Sequence, residues 1–221
     1  MEAVFNLSLI LEPLEFLFQP YQNTPLKFII LEIVGVVFGL MSVVFSKRDN
    51  ILVFPTGIIS TSIFVYLLWE YQLIGDMMIN SYYFIMSIYG WYIWTRKVDD
   101  NHFMPITKTY SKEWMKASVF FFVAIFFTIV IYYVFNKWEN WISAIDVFTT
   151  AIFFVGMWLM AKKKIENWLF WIVGDLISIP LYMHKDLYLS ALQYFIFTII
   201  AVLAYQSWKK KLYKPQAELL K

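Results

Sequence analysis

An aspartate stands in the middle of a stretch that otherwise reads as lipid-phase helix. In IENWLFWIVGDLISIP, residues 165–180, Asp175 follows Trp168 by seven residues and Trp171 by four. On a helix, Trp168, Trp171, Asp175, Ser178 and Tyr182 recur every three or four residues and share one face. An ionised carboxylate near the bilayer centre costs about 2.5 kcal/mol or more, so this face must look into protein or a wet cavity. Two kinds of chemistry fit. The acid is either a protonated or hydrogen-bonded packing group tied to Ser178 and a neighbouring helix, or a carboxylate beside ring faces that receives a cationic, aromatic ligand. Aromatic faces attract cations, and more strongly when both are desolvated.

Two further stripes carry polar and aromatic groups: Asn80, Tyr83, Ser87, Trp91 and Trp94, and Gln193, Tyr194, Phe197, Tyr205 and Trp208. Asn80, Gln193 and Tyr194 lie deepest and read as cavity lining, with Tyr83 and Ser178 beside them. Trp94 and Trp208 stand at span ends and read as interfacial belt. Glu32 and Asp146 lie near the outer ends of two spans and read as structural, and Asp76 as a solvated edge residue. Catalysis is poorly served. The chain has no cysteine and two histidines, His102 in a loop and His184 at a span end, with no HExxH and no Ser–His arrangement at depth. No enzyme, metal site or cofactor is expected. A retinal chromophore would need a lysine deep in the last span, and LYLSALQYFIFTIIAVLAYQSW contains none.

The elements that must position these groups follow from composition. At 61% hydrophobic, 21% aromatic and 15% charged, the 221 residues are far more apolar than a soluble domain. A span needs about 20 mostly apolar residues. Seven candidates appear, at about 26–46, 50–69, 76–95, 117–135, 142–161, 165–183 and 188–208. The expected class is an all-α integral membrane protein of seven transmembrane helices. It divides into an amphipathic segment (1–25), a first three-helix unit (26–97), a linker with the fourth span (98–140), a second three-helix unit (141–211) and a tail (212–221). With the C-terminus in the cytoplasm, 15 of the 18 Lys and Arg residues fall on that side and only Lys27, Lys137 and Lys185 on the other. That bias orients the chain with its N-terminus outside, in the cell (inner) membrane.

The two three-span units repeat. An offset of 117 sets Lys47 on Lys164, Asn50 on Asn167, Phe54 on Trp171 and Gly57 on Gly174, and leaves Ile58 opposite Asp175; an offset of 114 sets Tyr83 on Phe197 and Trp94 on Trp208. One linking span between them makes the repeats parallel, as in transporters that hold substrate between repeats near the midplane. Pro55 and Gly57 interrupt the second span, and Gly174 and Pro180 the sixth. Matching interruptions favour the ligand reading of Asp175 over the packing one.

Four motifs in order, IYGWYIW closing the third span, an acid opening the fifth, the Trp–x–x–Trp of ENWLFW opening the sixth and ALQYFIFT in the seventh, together resemble the PnuC-type vitamin transporters. The resemblance runs from about residue 28 to 209. It implies a three-plus-one-plus-three fold like an enlarged SWEET-type carrier, and uptake of nicotinamide riboside by facilitated diffusion with alternating access. It also implies lining roles for Trp168, Trp171, Asn80, Gln193 and Tyr194. Asp175 departs from the family's asparagine. A carboxylate there suits a cationic, nucleoside-like vitamin, nicotinamide riboside first and thiamine as the alternative, and disfavours a phosphate ester. The remaining expected partner is the lipid bilayer, with no nucleic acid; a homo-oligomer and a non-transporting structural protein stay open.

Overall fold

The computed structural model describes residues 24–96, 104–138, 140–184 and 188–218. These contain seven helices: α1 Leu26–Lys47, α2 Val53–Glu70, α3 Ile74–Thr95, α4 Ser111–Val134, α5 Trp141–Ala161, α6 Asn167–His184 and α7 Tyr188–Glu218. The expected amphipathic segment and His102 lie outside the described residues. Five helices are long and apolar enough to cross a membrane by themselves: α1, α2, α4, α5 and Ser190–Tyr213 of α7. The other two, α3 and α6, carry Asp76, Asn80 and Ser87, and Asn167, Asp175 and Ser178. These are the groups that lower apolarity, and most of them turn inward.

Six helices close into a ring. In each half consecutive helices pack together, α1 on α2 on α3 and α5 on α6 on α7; α3 then packs on α5 and α7 on α1. The end of each unit thus meets the start of the other, as a two-fold arrangement of parallel repeats requires. Helix α4 lies outside the ring against α5, with Phe120 on Trp158 at 6.1 Å, and Trp114 reaches Phe170 of α6 at 6.2 Å. Tyr82 locks α3 to α5, stacking on Phe154 at 3.9 Å and donating its hydroxyl to the Phe154 carbonyl at 2.7 Å.

The true repeat interval is 114 throughout. Helix α1 ends at Lys47 and α5 at Ala161; α2 begins at Val53 and α6 at Asn167. Asp49 and Lys163, the turn residues after α1 and α5, both take left-handed backbone, with φ of 60° and 57°. The offset of 117 is therefore corrected by three residues, and Asp175 stands opposite Thr61, not Ile58. The expected breaks in the second and sixth spans are also absent. Pro55 occupies the first turn of α2, where a missing N–H costs nothing. Helix α6 runs through Pro180, which sits on its exposed face.

The α5–α6 turn at the lysine-rich end is stitched to the segment that leads into α4. Thr107 N–H donates to the Lys163 carbonyl (3.1 Å) and Ile165 N–H to the Thr107 carbonyl (3.0 Å). Glu166 accepts from Thr109 N–H and Oγ1 (2.9 and 2.7 Å), and Lys164 pairs with Glu113 at 2.7 Å.

Candidate functional site

The ring encloses a chamber of about 310 Å³, lined by twenty residues from α1, α2, α3, α5, α6 and α7. Sixteen of these form eight pairs at the interval of 114: Gly39 and Phe153, Val43 and Met157, Ser46 and Met160, Phe54 and Trp168, Gly57 and Trp171, Thr61 and Asp175, Tyr83 and Phe197, Ser87 and Ala201. The chamber therefore lies on the axis that relates the two halves. Its walls are chemically unlike.

The second-half wall is aromatic and acidic. Asp175 is 3% exposed, and no Lys, Arg or His among the described residues forms an ion pair with it. Phe153 stacks on Trp171 (5.4 Å) and on Tyr194 (6.1 Å), so three rings share one slot. Gly174 makes that slot: a Cβ there would meet ring atoms of Phe153 at 2.3 and 2.8 Å. Trp168 is buried, and its indole Nε1 has no hydrogen-bond partner. A buried donor without an acceptor carries a desolvation cost of about 1–3 kcal/mol.

The first-half wall carries the hydroxyl groups, with Ser42, Ser46, Ser60, Thr61 and Ser87 set among Val43, Val53, Phe54 and Tyr83. Ser42 donates to the Val53 carbonyl at 2.8 Å and Thr61 to that of Gly57 at 2.7 Å. Glycines bring the helices close enough to gather these groups. A Cβ on Gly39 would lie 3.0 Å from Ser60 Oγ, and one on Gly57 would lie 3.2 Å from both Ser42 Oγ and Ser87 Oγ.

A second cavity, of about 680 Å³, lies toward the opposite end of the ring. Its lining is polar: Asn80, Thr149, Thr150, Ser178, Tyr132, Tyr182 and Asp146, with Asp76 and Lys137 joined in an ion pair. Tyr83, Phe153 and Tyr194 line both cavities, so they form the partition between them.

Of the residues expected at a site, Trp168, Trp171, Asp175, Tyr83 and Tyr194 meet in the chamber, whereas Asn80 and Ser178 face the second cavity. Asp175 lines the chamber and Ser178 the second cavity. Gln193 lines neither. Its side chain is exposed, because the inward stripe of α7 is Tyr194, Phe197 and Ala201, and Gln193 is turned about 100° from Tyr194. Asp76 and Asp146 border the second cavity instead of serving only the span ends. The greatest departure concerns Trp94 and Trp208, which are not belt residues: they are 4% and 0% exposed, beneath the chamber. Missed were Phe153 and, apart from Ser87 on its stripe, the serine wall. The spacing of Gly39, Ser42 and Ser46, a run of small residues on one helix face, was the available signal. Among the described residues no cluster of His, Cys, Asp and Glu could hold a metal.

A closed ring of helices around an on-axis, ligand-sized chamber defines a multi-pass membrane protein with its cavity between two repeats. The family model described as nicotinamide mononucleotide transporter matches residues 29–210, and the chain belongs to that family. The proteins named nicotinamide riboside transporter PnuC from Escherichia coli (strain K12) and Shigella flexneri are each 26% identical to it over 95 residues. Those matches cover 40% of this chain and 39% of the relatives, so the chain spans about two fifths of the length of the curated relatives it matches. The crystal structure described as that of the vitamin B3 transporter PnuC superposes with a TM-score of 0.64 at 21% identity, over 94% of this chain and 89% of that one. That likeness covers the fold of the whole ring.

Proposed function

We propose that the chain carries a cationic, nucleoside-like vitamin, nicotinamide riboside, across the cell (inner) membrane by facilitated diffusion with alternating access. The observation that carries this reading is the chamber's division: one carboxylate beside stacked rings on one wall, a cluster of hydroxyls on the other, and no Lys, Arg or His among its lining residues. The pyridinium ring takes the slot of Trp171, Phe153 and Asp175, where a cation gains from both carboxylate and ring faces. The ribose hydroxyls take the serine wall.

The family's description names the mononucleotide, the names of the relatives the riboside. The chamber's chemistry supports the riboside, because a phosphate would enter beside Asp175 without a basic partner. It supports ribose over the thiamine alternative as well, since five hydroxyl side chains exceed what a single hydroxyethyl group needs. The second cavity serves as the entry vestibule from outside. The lysine bias supports an outside N-terminus and a cytoplasmic C-terminus.

Uptake into proteoliposomes tests the substrate. Nicotinamide riboside should accumulate to equilibrium, unaffected by a protonophore, while nicotinamide mononucleotide stays at background. Equal uptake of the two overturns the reading, and saturable uptake of thiamine alone moves it to the alternative.

A further inference from the structure

Below the chamber, at the lysine-rich end, two hydrogen bonds exchange partners across the two halves. Trp94 Nε1–H donates to the Met160 carbonyl at 3.3 Å, and Trp208 Nε1–H donates to the Ser46 carbonyl at 2.9 Å. Trp94 and Trp208 are 114 residues apart, and so are Ser46 and Met160. The two bonds are therefore images of each other under the two-fold that relates the halves, and each spans the seam between them. The indole rings lie 5.9 Å apart, and both acceptor residues line the chamber floor.

One layer farther out, Asp49 pairs with Lys163 at 2.9 Å. These residues are again 114 apart, so this ion pair joins a position to its own repeat image. Lys163 also sits 4.5 Å over the Trp94 ring, and Lys211 of the second half reaches Asp49 at 3.3 Å. All of these contacts join one half to the other, while Phe54 on Trp94 (5.0 Å) and Trp168 on Trp208 (5.5 Å) hold each indole to its own half. Any motion that parts the halves at this end breaks the cross-half contacts together. The opposite end of the ring holds the polar second cavity.

We propose that Trp94 and Trp208 are the gate to the lysine-rich face: a reciprocal pair of indole-to-carbonyl bonds, backed by Asp49 and Lys163, that holds the chamber closed on that side and is released as one step. The proposal rests on the chamber being a site that opens to both faces in turn. It does not depend on which vitamin is carried.

The chain lacks cysteine, so a single reporter can be placed in the chamber as Val43→Cys. In proteoliposomes of known orientation, a membrane-impermeant maleimide added at the lysine-rich face should label this reporter slowly. Trp94→Phe and Trp208→Phe keep an aromatic ring and remove one donor each. Each should speed labelling from that face by roughly fivefold, the value of one net hydrogen bond, and the double variant by about twenty-fivefold. Asp49→Asn leaves the tryptophans in place but strands the buried Lys163 charge, and should give a gain at least as large as either tryptophan variant. Labelling from the opposite face should not rise.

Variants that melt cooperatively in detergent and label no faster than the parent overturn the gate. So does a gain confined to the opposite face. If the tryptophan variants do not melt cooperatively, Asp49→Asn decides, and an unchanged rate there overturns the proposal. No vitamin enters the assay, so its failure leaves the substrate assignment standing, and failed uptake leaves the gate standing.

Discussion

The two halves of this protein place residues at equivalent positions around one chamber and use them for different chemistry. Where the first half has Gly39, Gly57 and Thr61, the second has Phe153, Trp171 and Asp175. Two of the aromatic rings that the second half projects toward the axis, Phe153 and Trp171, have a glycine as their image, so at those positions the first half makes the room that the second half fills. Beneath the chamber the same symmetry holds without such divergence, with tryptophan opposite tryptophan and both donating to backbone. Recognition of an asymmetric ligand requires unlike walls. Parting two halves as one step is served by like contacts, and the molecule separates these demands by depth.

The sharpest way to break the comparison is to make the walls alike in charge. Asp175→Asn removes the chamber's one charge at nearly constant volume. A charged hydrogen-bonding group is worth about 1.5–3 kcal/mol, so affinity for nicotinamide riboside should fall roughly ten- to hundredfold in calorimetry. The exchange Thr61→Asp with Asp175→Thr moves the carboxylate to its image across the axis. If the two-fold governs the chamber, the exchanged protein should recover part of that loss. Affinity unchanged in Asp175→Asn would return the acid to a packing role.

Much of this was legible in the sequence. Seven helices followed from apolar runs, and the inward face of α6 followed from a three- and four-residue spacing that only one helix face satisfies. Register was not legible, because an error of three residues is close to one helical turn and turns each helix by only about 60°. Short identities such as Lys47 with Lys164 therefore looked acceptable at the wrong offset. The tryptophans at span ends failed for another reason. Trp94 facing lipid headgroups and Trp94 facing its repeat image have the same neighbours in sequence, and only the rotation of α3 distinguishes them. Serines and glycines in an apolar span also read as ordinary helix packing, so the spacing of Gly39, Ser42 and Ser46 did not single out a hydroxyl wall until α1, α2 and α3 were seen to converge.

Steric tolerance gives the next contrast. Gly174→Ala would drive a methyl group into Phe153, which cannot yield because Trp171 and Tyr194 stack on it. Overpacking of this kind costs about 1–3 kcal/mol, and the melting temperature should fall by several degrees. Gly57→Ala meets only the ends of Ser42 and Ser87 at 3.2 Å, where a shift of a few tenths of an ångström by these small side chains relieves it. It should melt within a degree or two of the parent. Equal losses in the two variants would mean that the first-half wall is packed as rigidly as the second.

The hydroxyl wall should respond more weakly than the acid. Ser60→Ala and Ser87→Ala each remove one hydrogen-bonding group from the first half, worth about 1 kcal/mol, so the affinity for nicotinamide riboside should drop roughly fivefold in each. The same substitutions should leave the affinity for a nicotinamide-type cation that lacks ribose unaltered, since that ligand uses only the second-half wall. A parallel loss for both ligands would merge the two walls into one contact surface.

The smallest effect belongs to Gln193, and it tests which face of α7 matters. Sequence spacing set Gln193 beside Tyr194 as lining, yet Gln193 is exposed and Tyr194 borders both cavities. Gln193→Ala should change binding and uptake by less than about 0.5 kcal/mol, the ordinary range for an exposed position. Tyr194→Ala removes a ring of the partition and should weaken binding several-fold while leaving the helix intact. The pair is informative because adjacent residues share depth and differ only in direction. If Gln193→Ala proved the more damaging of the two, α7 would have to be rotated by about one residue, and the pairing of Tyr83 with Phe197 and of Ser87 with Ala201 across the axis would fail with it.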